Sequence, residues 1–358
     1  MNQAFDIAIV GAGIVGAQVA YQAHQRHPDW RVLLIDRSLV GGGVSHYSGG
    51  LDHPFGWSPE QKILASESLE LYTRLKRDIP EAPFFDLPLY GITRAENSAL
   101  MLSRFTKPGA HRADADELRR LTDTYTDLEI GDDRIAITGC RGGYGDPGGV
   151  CNAIVRRLRQ NERIRVVEGT KVESIRSEDE DHLLSAADGR EFRSRRLVIA
   201  TGPWMLDGPG MEAMRAHDVR IKKIVAMHIE MTPTLESPIL FFLDDDSYLL
   251  PVVHRGHWIF SFPSTHWDCI PTIDALTIAP DDRERARGIL AKYSSKLVDM
   301  CTNGRVFCDA YTQSRLPVIA PLPGMQRASV AGACSGFGFR LAPAIARRAL
   351  DLACAADA

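Results

Sequence analysis

Residues 5–16 read FDIAIVGAGIVG, and this stretch decides the first part of the fold. Its first six residues are a short apolar run rich in branched side chains, which is typical of a buried parallel strand. A GxGxxG motif follows directly, and residues 17–27 continue as a helical pattern. The strand-like run RVLLID then ends at Asp36. This order of strand, glycine motif, helix, strand and acid predicts a dinucleotide-binding unit of an α/β fold.

Each position of the motif has a physical role in nucleotide binding. Gly11 permits the tight turn, Gly13 lets backbone N–H groups approach a pyrophosphate, and Gly16 lets the helix pack closely on the strand. Asp36 can accept hydrogen bonds from ribose hydroxyls. The predicted nucleotide-binding residues of this segment are Gly11, Gly13, Ile14, Val15, Gly16, Asp36 and Arg37.

The composition is that of an ordinary globular protein. The chain has 358 residues, of which 44% are hydrophobic and 25% charged, so it can form a large core and two domains. Its formal charge of −4 favours neither a nucleic acid nor an anionic membrane as partner. The seven cysteines show no CxxC spacing, so we predict neither a disulfide framework nor a metal site. We expect no signal peptide and no membrane span, and therefore a cytoplasmic protein.

A second glycine-rich segment lies at residues 41–54, GGGVSHYSGGLDHP, and reads as a loop that could wrap a phosphate and lie against a planar ring. Its core, VSHYSGGL, resembles the TSxxSxGL motif by which the D-amino acid oxidase superfamily binds FAD. The resemblance implies that Ser45 and Ser48 contact the pyrophosphate and that Gly50 backs the isoalloxazine. His46 and Leu51 belong to the same predicted FAD-binding segment. The alternative is a polar surface loop.

Further segments resemble that family along most of the chain. In relatives, backbone groups at the position of Val172 meet the adenine. LVIATGPW at 197–204 resembles an ATGxW segment that passes beside the cofactor, through Thr201, Gly202 and Trp204. Near the C-terminus, a strand and a glycine turn precede a helix, whose amino end would direct its amides at the flavin's carbonyl edge. The FAD-binding residues implied in that turn are Gly336, Phe337, Gly338, Phe339 and Arg340.

The resemblance implies two domains. Residues 1–80, 145–205 and 306–358 would form a discontinuous, Rossmann-type FAD-binding domain. Residues 81–144 and 206–305 would form a mainly antiparallel β-sheet substrate domain over the open face of the flavin.

Two residues are predicted to bind the substrate. Arg340, in GFGFRLAP, lies where the sarcosine oxidase branch keeps a carboxylate-binding lysine, and an arginine can bind a carboxylate through two N–H groups. The alternative is an arginine paired with a buried acid or a backbone carbonyl. Tyr248 resembles a substrate-lining tyrosine of the glycine oxidase branch that precedes a proline at the same spacing. Its alternative is a core aromatic on a strand.

Two positions depart from the family pattern. Asp309 stands where glycine oxidase relatives carry a carboxylate-binding arginine, and it could pair with Arg340 or receive a substrate ammonium group. His53 lies where the sarcosine oxidase branch has arginines; it could take a role there or be polar surface. The oxygen-activating lysine of sarcosine oxidase has no clear counterpart here, so the electron acceptor stays open.

The flavin is expected to be noncovalent. Cys308 and His46 each lie one residue out of register with positions at which relatives link the flavin covalently. A slip of one residue turns a strand side chain to the opposite face. A covalent link through either residue is left open.

We predict FAD-dependent oxidation of the C–N bond of an amino acid or secondary amine to an imine, with O2 reduced to H2O2. The first alternative is a flavin dehydrogenase of a 2-hydroxy acid or amine that uses another acceptor. The second is a tailoring oxidase for a larger biosynthetic substrate, favoured by the aromatic set Phe55, Trp57, Trp258 and Trp267. The third is a flavoprotein or nucleotide-binding module without catalysis.

Overall fold

The structure is a computed structural model that describes residues 4–125, 127–178, 180–272 and 276–355. Its β-strands are β1 (Ile7–Val10), β2 (Val32–Ile35), β3 (Leu51–Asp52), β4 (Phe84–Arg94), β5 (His111–Arg112), β6 (Arg134–Thr138), β7 (Arg141–Gly145), β8 (Ile164–Val167), β9 (Val172–Glu178), β10 (Asp181–Ala186), β11 (Glu191–Ser194), β12 (Leu197–Ile199), β13 (Arg220–Ile229), β14 (Ile239–Phe242), β15 (Ser247–Val252), β16 (His257–Ser261), β17 (Cys301–Tyr311), β18 (Val318–Pro321) and β19 (Ala328–Gly332). Its α-helices are α1 (Ile14–Arg26), α2 (Val44–Tyr47), α3 (Pro59–Asp78), α4 (Ser98–Ser103), α5 (Ala115–Thr124), α6 (Pro147–Leu158), α7 (Met211–Arg215), α8 (Pro280–Leu290), α9 (Ser295–Met300) and α10 (Gly338–Cys354). Short 3₁₀ turns occupy Ala95–Asn97, Gly202–Leu206, Leu243–Asp245 and Val253–Arg255.

A six-stranded sheet contains the predicted nucleotide-binding unit. Its strand order is β18-β19-β12-β1-β2-β8, and every neighbouring pair is parallel except β18 with β19. β1 and β2 are buried along their whole length because both faces of the sheet are covered. Helices α1, α3, α6 and α10 pack together on one face, and the antiparallel sheet β11-β10-β9 belongs to the cluster on the other. The predicted Rossmann-type α/β fold is confirmed.

A second, larger sheet lies over the first and follows the order β17-β13-β16-β15-β14-β4-β6-β5, with β7 joining β3 to β4. All its pairs are antiparallel except β14 with β4, as the predicted mainly antiparallel sheet requires. β3 and the end of β17 belong to this sheet, although both lie within the segments predicted for the FAD-binding domain. The division of the chain into two domains stays a prediction. In the part of the chain that the structure describes, no helix is both long and apolar enough to span a membrane.

Candidate active site

A cavity of about 1210 Å³ lies between the two sheets. On one side it is lined at the carboxyl ends of the parallel strands β1, β2, β12 and β19, where open α/β sheets bind their ligands. On the other side it is lined by residues of β13, β15, β16 and β17. The site therefore joins the predicted nucleotide-binding unit to the antiparallel sheet.

The amino end of α1 opens into this cavity. Gly11 has a φ of +105°, and a Cβ there would lie 2.3 Å from the carbonyl oxygen of Ala200, so only glycine fits. Gly13 is the N-cap of α1 and offers no side-chain cap; the N–H of Ile14 donates to Ser45, and the other N–H groups of the first turn are left for a ligand. Gly16 does not line the cavity. A Cβ at Gly16 would lie 1.8 Å from the carbonyl oxygen of Gly11, so its role is close packing.

Asp36 lies at the end of β2, where the motif predicts it. Its carboxylate accepts hydrogen bonds from the backbone N–H of Ala12 at 2.6 Å and of Ser38 at 2.8 Å. Burial raises the pKa of Asp36 despite these two donors. Arg37 lies 4.6 Å above the ring of Trp204, and both residues line the cavity.

The second glycine-rich segment folds as the short helix α2 followed by a turn, rather than as a continuous loop. Ser45 accepts a hydrogen bond from the N–H of Ile14 at 3.0 Å, which fixes α2 against the amino end of α1. Ser45, Ser48 and Gly50 line the cavity. His46, in contrast, is exposed and does not line it. The structure therefore does not bring His46 together with the other predicted FAD-binding residues.

The C-terminal turn leads into α10 through three residues with left-handed backbone. Ala333, Ser335 and Gly336 have φ values of 50°, 54° and 82°, and the two non-glycine positions carry the strain that is often found at ligand sites. The first N–H groups of α10, like those of any α-helix, have no intrahelical acceptor, and no side chain caps them. This amino end borders the cavity through Phe337 and Gly338.

These features fit FAD. The uncapped amino end of α1 suits a pyrophosphate, and Asp36 suits a ribose hydroxyl. The uncapped amino end of α10 suits the carbonyl edge of an isoalloxazine. The remaining predicted FAD-binding residues that line the cavity are Ile14, Val15, Leu51, Val172, Thr201, Gly202, Phe339 and Arg340. Their individual roles toward the cofactor stay predictions.

Arg340 lies in the first turn of α10 with only 3% of its surface exposed. Its Nη1 donates to the backbone carbonyl of Phe55 and, at 3.4 Å, to that of His53. Its Nε and Nη2 have no hydrogen-bond partner among the described residues. Burial lowers the pKa of Arg340 to about 10, and the negative charge of Asp52 opposes that shift. In the guanidinium of Arg340, Nη1 is therefore held by hydrogen bonds to backbone carbonyls, whereas Nε and Nη2 have no hydrogen-bond partner among the described residues.

His53 lies beside Arg340, with its ring nitrogens 3.5 Å from Nη1. It is buried and lines the cavity, so it is not a surface histidine. Burial, followed by the charge of Arg340, holds the pKa of His53 well below its ordinary value. His53 is therefore neutral at physiological pH.

Asp309 and Tyr248 both line the cavity. Asp309 accepts hydrogen bonds from the N–H groups of Ala310 at 2.8 Å and Gly336 at 2.9 Å, and it does not pair with Arg340. Burial raises the pKa of Asp309 to about 6. Tyr248 stacks on Phe241 with ring centroids 6.0 Å apart, and burial raises the pKa of its hydroxyl.

Cys308 points away from the cavity. It is fully buried in the cluster of apolar residues beneath β17, whereas its neighbours Phe307 and Asp309 line the cavity. Burial raises the pKa of the Cys308 thiol to about 12. Neither Cys308 nor His46 is therefore positioned for a covalent link to a flavin in this cavity.

Several lining residues escaped the sequence analysis. These are Lys222, Asp246, Phe307, Tyr311 and Arg315. The period-2 alternation of RIKKIVA on β13 could have shown that Lys222 and Ile224 share one face of the strand. It could not have shown which face meets the cavity. Conversely, of the four aromatics considered for a larger substrate, Trp267 alone lines the cavity.

Comparison with known proteins agrees with this geometry. The family model described as FAD dependent oxidoreductase, DAO, matches residues 6–352. The chain is 27% identical over 220 residues to glycine oxidase of Geobacillus kaustophilus, and this match covers 57% of the chain and 56% of that relative. The chain thus matches little more than half the length of that curated relative.

Solved structures share the fold. A crystal structure of glycine oxidase from Geobacillus kaustophilus superposes with a TM-score of 0.77 at 19% identity, covering 98% of this chain and 95% of that one. L-proline dehydrogenase from P. horikoshii superposes with a TM-score of 0.83 at 17% identity, covering 98% and 94%. At such identities these likenesses show the fold alone. The family model, however, spans nearly the whole chain. The chain belongs to the DAO family of FAD-dependent oxidoreductases.

Proposed function

We propose that this oxidoreductase converts the C–N bond of an amino acid or secondary amine to an imine, with O2 as electron acceptor. The observation that supports the proposal most directly is the environment of Arg340. Arg340 lines the cavity, and two nitrogens of its buried guanidinium have no hydrogen-bond partner among the described residues; an anion beside it would stabilise this group, because a buried charge without a partner is costly. A substrate carboxylate supplies that anion.

The residues around Arg340 are arranged to hold an amino acid. Carbonyl groups of His53 and Phe55 fix Nη1, so Nε and Nη2 are presented in one orientation. Asp309 also lines the cavity, where its carboxylate accepts a hydrogen bond from Gly336 in the turn before α10, and it offers that carboxylate to the substrate nitrogen. With a pKa of about 6, it is mainly ionised at neutral pH and can balance a substrate ammonium group. Neutral His53 adds no charge to compete with either contact.

The chemistry balances as a two-electron oxidation. When bound, FAD accepts a hydride equivalent from the carbon that bears the nitrogen. The substrate also loses the N–H proton, so a C=N bond forms; the imine then takes up water and releases ammonia or an amine. The two electrons and two protons finally reduce O2 to H2O2. The protein's part is to hold the substrate at both ends and to exclude water.

The test is an anaerobic titration of the purified holoenzyme, followed by its visible spectrum. Amino acids and N-methyl amino acids are added, with 2-hydroxy acids of the same carbon skeleton as matched controls. We expect bleaching of the flavin by an amine and not by its hydroxy analogue. Recovery of the colour with stoichiometric H2O2 on admitting air would support O2 as acceptor.

Two results would overturn the proposal. Bleaching by the 2-hydroxy acids alone would indicate C–O rather than C–N oxidation. A flavin that is bleached by an amine but stays reduced in air would indicate a dehydrogenase with another acceptor.

A further inference from the structure

The cavity wall formed by β13 and β17 carries a lysine that the proposed chemistry does not use. Lys222, on β13, lies opposite Asp309 in the strand register. Its ammonium group lies 4.7 Å from the ring centroid of Trp267 and 5.0 Å from that of Tyr311. Among the described residues it makes these cation–π contacts and no hydrogen bond or ion pair. The two rings therefore orient Lys222 without neutralising it.

A second cation lies beside Lys222. Arg315 has a φ of 59° and forms an ion pair with Asp246 at 2.9 Å. Its guanidinium carbon lies 5.3 Å from the ring centroid of Phe337, and that of Arg340 lies 4.9 Å from the same centroid. Arg315 thus stands next to the predicted carboxylate anchor.

The positive charge of Arg315 lowers the pKa of both Lys222 and Arg340. Burial lowers the pKa of Lys222, and the charge of Arg315 is the next cause. For Arg340, burial lowers the pKa, the charge of Asp52 opposes that shift, and the charge of Arg315 adds a smaller lowering. Three positive groups therefore interact along one wall of one cavity.

The carboxylates in this part of the cavity balance these charges only in part: the charge of Asp246 raises the pKa of Lys222 and that of Asp52 raises the pKa of Arg340, but neither carboxylate forms an ion pair with these groups. Asp246 is already paired with Arg315. Asp309 is held by two backbone N–H groups and contacts none of the three cations. A single substrate carboxylate at Arg340 would leave the partly buried Lys222 without an ion-pair partner among the described residues. Adjacent like charges of this kind are unfavourable unless an anion lies between or beside them.

We propose that Lys222, with Arg315 beside it, binds a second carboxylate of the substrate. This inference rests on the proposed function, in which Arg340 holds the first carboxylate. The substrate class is then an amino dicarboxylate, whose reacting C–N bond lies between the two anchors or near one of them. Trp267 and Tyr311 would contact the methylene groups that separate the carboxylates.

Binding without turnover tests this directly. The oxidised holoenzyme is titrated by calorimetry with glutarate and with butyrate, which differ by one carboxylate. We expect glutarate to bind at least about tenfold more tightly. Lys222→Met should reduce that advantage to less than about threefold and leave butyrate binding unchanged, while Lys222→Arg should restore most of it. Lys107→Met removes an exposed lysine outside the cavity and should change neither affinity.

Equal binding of glutarate and butyrate by the wild-type protein would overturn the inference, as would an advantage that Lys222→Met leaves intact. A parallel anaerobic titration with glutamate, glutamine and their N-methyl derivatives separates this inference from the proposed function. Flavin bleached equally well by acid and amide would refute the second anchor while the amine oxidation stands. No bleaching by any amine, together with Lys222-dependent glutarate binding, would refute the oxidation and support the anion site.

Discussion

Arg340 shows why an arginine suits this position better than a lysine. Its Nη1 is used to satisfy two backbone carbonyls, which locks the side chain in the first turn of α10. Nε and Nη2 remain as two donors in a fixed plane. The ammonium group of a lysine is a single point of charge, so the two carbonyls and the ligand would compete for the same nitrogen. Both interpretations considered for Arg340, a structural contact and a ligand contact, can therefore hold for different nitrogens.

Replacing Arg340 by alanine should weaken the binding of a carboxylate substrate by roughly 10- to 100-fold, because a hydrogen bond to a charged group contributes about 1.5–3 kcal/mol. The measurement is the apparent Kd in anaerobic flavin reduction. Arg348→Ala removes an exposed arginine of the same helix, paired with Glu67, and serves as the control. FAD content and Tm show whether the fold is kept. An unchanged Kd in a folded Arg340→Ala protein would remove Arg340 from the substrate site.

The raised pKa of Asp309 predicts that substrate affinity depends on pH. Burial raises its pKa to about 6, so its charged form is lost as the pH falls through that value. We expect the apparent affinity for an ammonium-bearing substrate to decrease below about pH 6. Asp309→Asn should bind more weakly at neutral pH and lack this titration. Flavin-reduction titrations from pH 5 to 8 compare the two proteins, and the same pH dependence in both would argue against the assigned contact.

At the scale of elements, β13 separates two adjacent lysines because successive side chains of a strand point to opposite faces. Lys222 faces the cavity, whereas Lys223 is buried on the other side against the amino end of α8. There it pairs with Asp282 at 2.5 Å, and the side chains are 8% and 4% exposed. Asp282 also accepts a hydrogen bond from the N–H of Ala279. This pair fixes α8 to the strand that carries the proposed second anchor.

Asp282→Ala should lower the free energy of unfolding by about 3–5 kcal/mol, because it leaves the charge of Lys223 buried without a partner. Urea unfolding of the holoenzyme measures this change. The control is Asp281→Ala, which alters the exposed neighbour and should stay within about 0.5 kcal/mol. A loss for Asp282→Ala as small as that of the control would mean that the pair contributes little to α8 docking.

At the scale of the whole molecule, the cavity lies between the two sheets, and we predict that FAD is held there without a covalent bond. Cys308 faces the core and His46 faces solvent. Acid precipitation of the holoenzyme should therefore release all of its flavin into the supernatant, as measured by absorbance. Flavin that stays with the precipitated chain, or a flavin-bearing peptide after proteolysis, would contradict the noncovalent assignment.

The nucleotide half of the site could be predicted from the sequence because its determinants are local. The positive φ of Gly11 and the close contact of Gly16 with Gly11 arise within one strand–turn–helix unit, and Asp36 follows the next strand. The same holds for the turn before α10, where glycine and small residues adopt left-handed backbone. The backbone conformation of such motifs follows from their own residues, so it can be predicted without knowing which segments pack against them.

The substrate half depended on tertiary structure. Lys222 and Arg315 belong to segments far apart in the chain, and β13 and the turn after β17 acquire a common cavity only when the larger sheet closes over the smaller. The sequence analysis assigned Asp309 and Arg340 to one site but left open whether they form an ion pair. In the structure Asp309 accepts hydrogen bonds from backbone amides, and two nitrogens of Arg340 have no hydrogen-bond partner among the described residues. Local pattern therefore predicted a dinucleotide site, and the resemblance of VSHYSGGL to a family motif implied FAD as its ligand. Which strand face meets the cavity, and which buried charges lack partners, was decided by packing between distant segments.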